Sequence, residues 1–175
     1  MDPDLEQFKS AQMYLSLIKE SNKALQYLLE ELKKIDRPVI LCMFGDHQPG
    51  CLSEEFENQI FKWDDSKSEL ANRERYYMTP YLIWSNYKER ETESDATEMI
   101  TSPNYLAAKI LNYAGLQTTD YSNFLLEMQK NVLAINRFGY FGSDEKWHSF
   151  DEKTEYETWI HDYRILQYYQ LIQNQ

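Results

Sequence analysis

Apolar residues recur at helical spacing along the first part of the chain. Leu15, Ile18, Leu25, Leu29 and Leu32 form a stripe that Tyr14, Leu17, Ala24 and Leu28 widen. Glu20, Lys23, Glu30, Lys33 and Lys34 lie largely to the other side, so the pattern predicts one long amphipathic helix from about Leu5 to Lys34. Its basic end suits the partial negative charge at a helix C-terminus. Asp36-Arg37-Pro38 stops it, and the period then changes. Val39-Ile40-Leu41-Cys42-Met43-Phe44 is a short continuous apolar run bounded by proline and glycine. It reads as a strand near 38–44, buried on both faces in the manner of a parallel α/β sheet. Gly45-Asp46-His47-Gln48-Pro49-Gly50 then makes a tight loop at its carboxyl end.

Beyond Leu52 the pattern is polar and mixed, with a short helix around Ser53–Phe61 and a charged loop after it. Thr79-Pro80-Tyr81-Leu82-Ile83-Trp84-Ser85 predicts a second strand, near 80–85, and Asn86 to Thr101 a solvated connection. Ser102-Pro103 opens a helix, with serine as N-cap and proline at the first helical position, and Gly115 closes it. A further helix is expected over about Tyr121–Ile135, followed by a loop from Arg137 to Lys153. Thr154-Glu155-Tyr156-Glu157 has the form of a capping box and starts a last helix running to about Ile172. No internal repeat or low-complexity tract interrupts the pattern, and 1–175 reads as one domain or a piece of one.

Composition narrows the partners. The 175 residues carry 18 Lys+Arg against 29 Asp+Glu, a net charge of −11, with 42% hydrophobic and 15% aromatic residues. That supports a packed core rather than disorder. Five glycines and five prolines are few, which favours helices over a many-turned all-β chain. The negative surplus opposes phosphate backbones and anionic lipid, so nucleic acid is not an expected partner. An anionic substrate would need local cations, and in the absence of an arginine-rich cluster a metal is the economical choice. No run approaches 18 apolar residues, and Met1-Asp2-Pro3-Asp4-Leu5-Glu6 lacks the features of a signal peptide, so the chain is expected to be soluble. Cys42 lies in an apolar run and Cys51 follows a turn; a bridge between them stays open at this level.

Gly45-Asp46-His47 carries the chemistry. In open α/β sheets ligands bind beyond the carboxyl ends of strands, where this loop is expected. Aspartate and neutral histidine are both good ligands for divalent metals. Adjacent side chains on a straight strand diverge, so the two can share an ion only where the chain turns, as Gly45 and Pro49-Gly50 allow. His148 and His161 read as isolated, which leaves a two-ligand, incomplete metal site. Glycine-rich phosphate loops, a Gly-x-Ser-x-Gly elbow and Cys-x-x-Cys pairs are absent. Tyr156, Tyr163, Tyr168 and Tyr169 read as core edge and partner surface rather than carbohydrate platforms. Glu93, Asp95 and Glu98 are a remote candidate for calcium in a stretch that is more simply a solvated loop.

The ordered segments around this motif resemble a known family. Ala24-Leu25-Gln26-Tyr27-Leu28-Leu29-Glu30-Glu31-Leu32, then Pro38-Val39-Ile40-Leu41 and Phe44-Gly45-Asp46-His47-Gln48-Pro49, resemble the C-terminal part of the lipoteichoic acid synthase-like phosphoglycerol transferases. These belong to the sulfatase and alkaline phosphatase superfamily. Thr79-Pro80-Tyr81-Leu82-Ile83-Trp84-Ser85-Asn86-Tyr87, Ser102-Pro103-Asn104-Tyr105-Leu106 and Leu166-Gln167-Tyr168-Tyr169 are similar to the family's next strand, helix start and terminal helix. The resemblance implies an α/β fold, the C-terminal portion of an alkaline-phosphatase-like sandwich, helix-rich with a few core strands. It implies that Asp46 and His47 ligate a divalent metal, manganese with zinc or magnesium as alternatives.

The family's metal-binding glutamate and threonine nucleophile lie upstream of this motif and match nothing here. No catalytic nucleophile is therefore assigned in this chain, and Met1 is expected to fall inside a longer enzyme whose N-terminal part completes the site. In that enzyme a threonine hydroxyl would attack an anionic phosphoglycerol lipid and pass phosphoglycerol to a polymer, at the extracellular face of a bacterial membrane. Related sites cleave sulfate esters. A reading from another class treats the chain as a non-catalytic acidic helical interaction module in which Asp46 and His47 are structural.

Overall fold

The computed structural model describes residues 7–87 and 99–173, which fall into two compact units. The architecture is mixed α/β, with six helices and two small sheets among the described residues. The expected class therefore holds.

In the first unit α1 spans Lys9–Lys33, within about four residues of the predicted bounds. Ion pairs one turn apart, Lys23–Glu20, Lys33–Glu30 and Lys34–Glu31, lace its polar side. Its apolar stripe is half-buried at Leu25, Leu29 and Leu32 but open at Leu15 and Ile18. β1 (Ile40–Phe44) follows, then two short helices, α2 (Glu54–Ile60) and α3 (Glu69–Glu74), and β2 (Tyr81–Ser85). Ser53 and Ser68 cap these helices by accepting from Phe56 N and Ala71 N.

The sheet corrects the sequence reading. β1 pairs with β2 antiparallel, with Cys42 opposite Ile83, and none of its five residues is fully buried. Met43 and Phe44 are exposed. A continuous apolar run suggests a strand covered on both faces; here it forms one half of a two-stranded ribbon. Both cysteines are free, Cys42 half-buried and Cys51 exposed, and burial raises the Cys42 thiol pKa.

One side chain holds α1 and the ribbon in register. Asn86, just past β2, accepts from Val39 N through Oδ1 at 2.9 Å. Its Nδ2 donates to the carbonyls of Leu32, Ile35 and Arg37 at 3.0–3.2 Å. An amide offers both an acceptor oxygen and two donor hydrogens, so this asparagine matches both its halves to backbone groups at the end of α1, in its turn and at the approach to β1. It thereby fixes where β1 starts and where the Gly45–Gly50 loop emerges.

The second unit contains α4 (Pro103–Ala114), α5 (Asp120–Gln129), β3 (Val132–Ile135), β4 (Gly139–Gly142), β5 (Trp147–Ser149) and α6 (Glu157–Gln173). β3, β4 and β5 form an antiparallel meander, where the sequence suggested the end of a helix and then a loop. Gly115 caps α4 as expected, in the left-handed conformation. Ser102 does not cap with its side chain. Its Oγ accepts from Ile135 N at 2.9 Å and donates to Asn104 Oδ1 at 2.5 Å, tying the start of α4 to β3. The capping box is likewise replaced, with Thr154 Oγ1 accepting from Tyr156 N and meeting the Tyr140 hydroxyl at 2.6 Å.

The main core lies here. Tyr105, Ala108, Leu125, Met128, Val132, Tyr140, Tyr156, Ile160 and Tyr163 are buried together. Tyr156 and Tyr163 are thus core residues, whereas Tyr168 and Tyr169 are exposed. Gly142 is required by close approach: a Cβ there would lie 2.7 Å from the Tyr156 ring and 2.6 Å from Asp144 Oδ1.

Candidate metal centre

The Gly45–Gly50 loop leaves β1 beside the entrance to β2. Gly45 N donates to Pro80 O at 3.0 Å, and Thr79 Oγ1 donates back to Gly45 O at 2.8 Å. The backbones approach so closely that a Cβ on Gly45 would sit 2.9 Å from Thr79 Cβ, a branched centre with little freedom to yield. Gln48 Nε2 donates to Met78 O, which ties the far side of the loop to the same segment. Three contacts to residues 78–80 thus hold a loop only a few residues long.

Within it, Asp46 Oδ1 accepts from His47 N at 2.9 Å, which turns the Asp46 carboxylate toward the next residue. His47 Nδ1 lies 2.7 Å from Gln48 O. A carbonyl only accepts, so Nδ1 carries a hydrogen, and in the neutral ring the lone pair then lies on Nε2. That lone-pair nitrogen is 3.5 Å from Asp46 Oδ2. Two donors each about 2.1 Å from one ion at a near-tetrahedral angle lie roughly 3.4 Å apart. The donor set, the tautomer and the spacing all fit a divalent cation. Both side chains are more than three-quarters exposed, so the site is open to solvent. Among the described residues no third histidine, cysteine or carboxylate joins them.

The other sequence candidates separate. Glu93, Asp95 and Glu98 lie outside the described residues. His161 is exposed on α6 beside Asp162. His148 is not isolated. On β5, it stacks on Tyr140 with ring centroids 5.4 Å apart, its Nδ1 is 3.0 Å from Glu152 Oε2, and its Nε2 is 3.1 Å from Asp144 Oδ1. The sequence signal was the spacing, a carboxylate four residues to either side, which the turns flanking β5 fold back onto one ring. With a carboxylate at each nitrogen, both must donate, which describes an imidazolium clamp rather than a metal ligand.

Burial alone would disfavour the charged ring, but the hydrogen bonds and charges of Asp144 and Glu152 outweigh it, and the His148 pKa is raised. The Asp144 carboxyl is partly desolvated, yet His148 and Lys146 hold its pKa below the usual value; Ser149 N and His148 do the same for Glu152. Stability from the raised histidine is complete below its ordinary value of about 6.5 and is lost as pH rises through its higher folded value. Stability from the carboxylates is present above about 4 and is lost as pH falls through their lowered values. The melting temperature of the chain should therefore decline as pH rises above about 6.5, and His148→Gln should flatten that decline. An unchanged slope in the variant would refute the clamp.

Residues 2–116 match the sulfatase family, roughly two thirds of the chain, and the chain belongs to it. The match includes all of the described first unit, with the Gly-Asp-His loop, and reaches through α4. A Rhizobium meliloti (strain 1021) protein named as a cyclic beta-1,2-glucan modification protein is 26% identical over 127 residues, covering 71% of this chain. The chain spans 19% of that relative's length. No solved structure matches the chain. No described helix is long and apolar enough to cross a membrane.

Proposed function

We propose that the chain is the C-terminal part of a metal-dependent enzyme that cleaves or transfers phosphate or sulfate esters on a lipid or polymer of the bacterial cell envelope. Asp46 and His47 supply two of its metal ligands. The observation that carries the reading is the 3.5 Å separation of Asp46 Oδ2 from His47 Nε2, with the tautomer set by the Gln48 carbonyl. Family membership and the relative's name support the substrate class. Within that class the resemblance of the Gly-Asp-His segment favours a phosphoglycerol lipid or polymer and manganese, with zinc or magnesium as alternatives.

When bound, the cation would supply Lewis-acid stabilisation to a phosphoryl or sulfuryl oxygen. This chain's own residues do the rest of the local work. Thr79, Pro80 and Met78 hold the loop, Gln48 O holds the His47 proton on Nδ1, and Asp46 brings a negative charge that an anionic substrate could approach only with a cation between them. The remaining ligand and the nucleophile belong to the rest of the enzyme, outside the cell. The open apolar stripe of α1 at Leu15 and Ile18, and Met43 and Phe44 on β1, are faces that the rest of the enzyme would cover.

Titrating the chain with Mn²⁺ tests the site directly. Paramagnetic broadening of NMR resonances should begin at residues 45–48 and 78–80 and vanish in the Asp46→Ala/His47→Ala double variant. Broadening spread evenly over the acidic surface would sink the reading. So would a spectrum indifferent to manganese, zinc and magnesium alike, which is the behaviour of an interaction module.

A further inference from the structure

The second unit holds a cavity of about 410 Å³ between the start of α4, the β3–β4 turn and α6. That volume suits a small organic ligand rather than a bare ion. Its charge is the opposite of the chain's. In a protein of net charge −11, no aspartate or glutamate among the described residues lines this cavity, while Arg137 from the turn and Arg164 from α6 both do. Neither arginine has an ion pair or hydrogen bond through its guanidinium among the described residues. Both are exposed to solvent, which lowers the cost of bringing two like charges to one cavity and leaves them open to an anion.

Both groups are nonetheless held in place. The Arg137 guanidinium carbon lies 4.4 Å from the Phe138 ring centroid, and that of Arg164 lies 4.8 Å from the Phe150 ring centroid. Stacking occupies the face of a guanidinium and leaves the N–H donors at its rim free, an arrangement suited to bidentate contact with a tetrahedral oxyanion.

A further donor lacks an acceptor. Ser102 Oγ accepts from Ile135 N and gives its own hydrogen to Asn104 Oδ1, which fixes the orientation of the Asn104 amide. Asn104 Nδ2 is then enclosed near the Tyr105 and Tyr163 hydroxyls, which its N–H favours in their ionised form, but at no close hydrogen-bond distance from either. Asn104 lines the cavity, so a ligand oxygen there would supply the missing acceptor. Phe150, carrying Arg164 on its ring, and the edge of Tyr163 also line the cavity. The Tyr163 hydroxyl accepts from Gln167 Nε2 at 2.8 Å and retains its hydrogen for a ligand oxygen.

We infer that this cavity is an anion-binding site for a small organic phosphate or sulfate ester, with Arg137 and Arg164 on the oxyanion and Asn104 and Tyr163 on ester oxygens. It lies within the second unit and does not rest on the metal reading.

Isothermal titration of the chain at low salt tests it, with glycerol 1-phosphate, inorganic phosphate, inorganic sulfate and uncharged glycerol as probes. Glycerol 1-phosphate should bind saturably and more tightly than inorganic phosphate, and glycerol should not bind. Phosphate and sulfate side by side tell the two ester classes apart, and a preference for either supports the site. Arg137→Gln and Arg164→Gln should each weaken binding about tenfold or more, and the double variant should abolish it. Absence of saturable binding, or equal affinity in a folded Arg137→Gln/Arg164→Gln variant, would overturn the inference.

Discussion

Changing Asp46 or His47 to alanine in the whole enzyme is expected to lower ester turnover by at least on the order of a hundredfold, without a matching loss of fold. Either change removes one of the two donors that this chain brings together, and the survivor cannot chelate alone. Both side chains are largely exposed, and their hydrogen bonds run only to each other's segment and to Gln48, so the melting temperature should stay where it is. His47→Gln sharpens the test, because it keeps a polar side chain of similar reach but lacks the imidazole nitrogen. Steady-state turnover and bound-metal analysis on the same samples decide the matter. Near-normal turnover in both alanine variants would rule out Asp46 and His47 as essential ligands. Lost turnover with unchanged metal content would separate substrate contact from metal holding.

The largest effect on stability should come from Tyr105→Ala. Tyr105 is fully buried on α4, in the core it shares with Leu125, Met128, Val132 and Tyr163. Its hydroxyl donates to Val132 O at 2.8 Å, and burial raises its pKa far above the ordinary tyrosine value. Truncation leaves a ring-sized cavity, about 3–5 kcal/mol for an aromatic residue, and strands the Val132 carbonyl as well. Tyr105→Phe removes only the hydrogen bond and should cost about 1–2 kcal/mol. Denaturant melts that rank the variants in this order, with amide exchange accelerating across 103–163 in the alanine form, would bear out the core. A cost below about 1 kcal/mol for Tyr105→Ala would contradict it.

How much of this was legible beforehand depended on the length of each pattern. α1 and α4 were read nearly to their ends because their apolar period runs over several turns and because Pro103 and Gly115 punctuate α4. α3 was missed, since six residues span under two turns and only Ser68 marks its start. Val132–Ile135 was absorbed into the preceding helix, because Val132 falls on the stripe of Phe124, Leu125 and Met128 and no glycine or proline separates them. The β4–β5 hairpin was hidden among aromatics whose partners are distant in sequence, and the role of Gly142 depends on a tyrosine fourteen residues away.

The candidate metal site was legible as a pair of residues but not as a geometry. Asp46 and His47 stand together in the sequence, yet their shared direction depends on Thr79 and Gln48, and their placement on Asn86. His148 was misjudged for a related reason. Spacing of four suggests a shared face only in a helix, and here turns around a three-residue strand produce the meeting.

The clamp at His148 needs a charged ring and two ionised carboxylates at once. Strong acid neutralises the carboxylates and alkali neutralises the ring, so the turns on either side of β5 lose the same anchor at both extremes. Those turns should therefore be the first part of the β3–β5 meander to open in acid and in base alike.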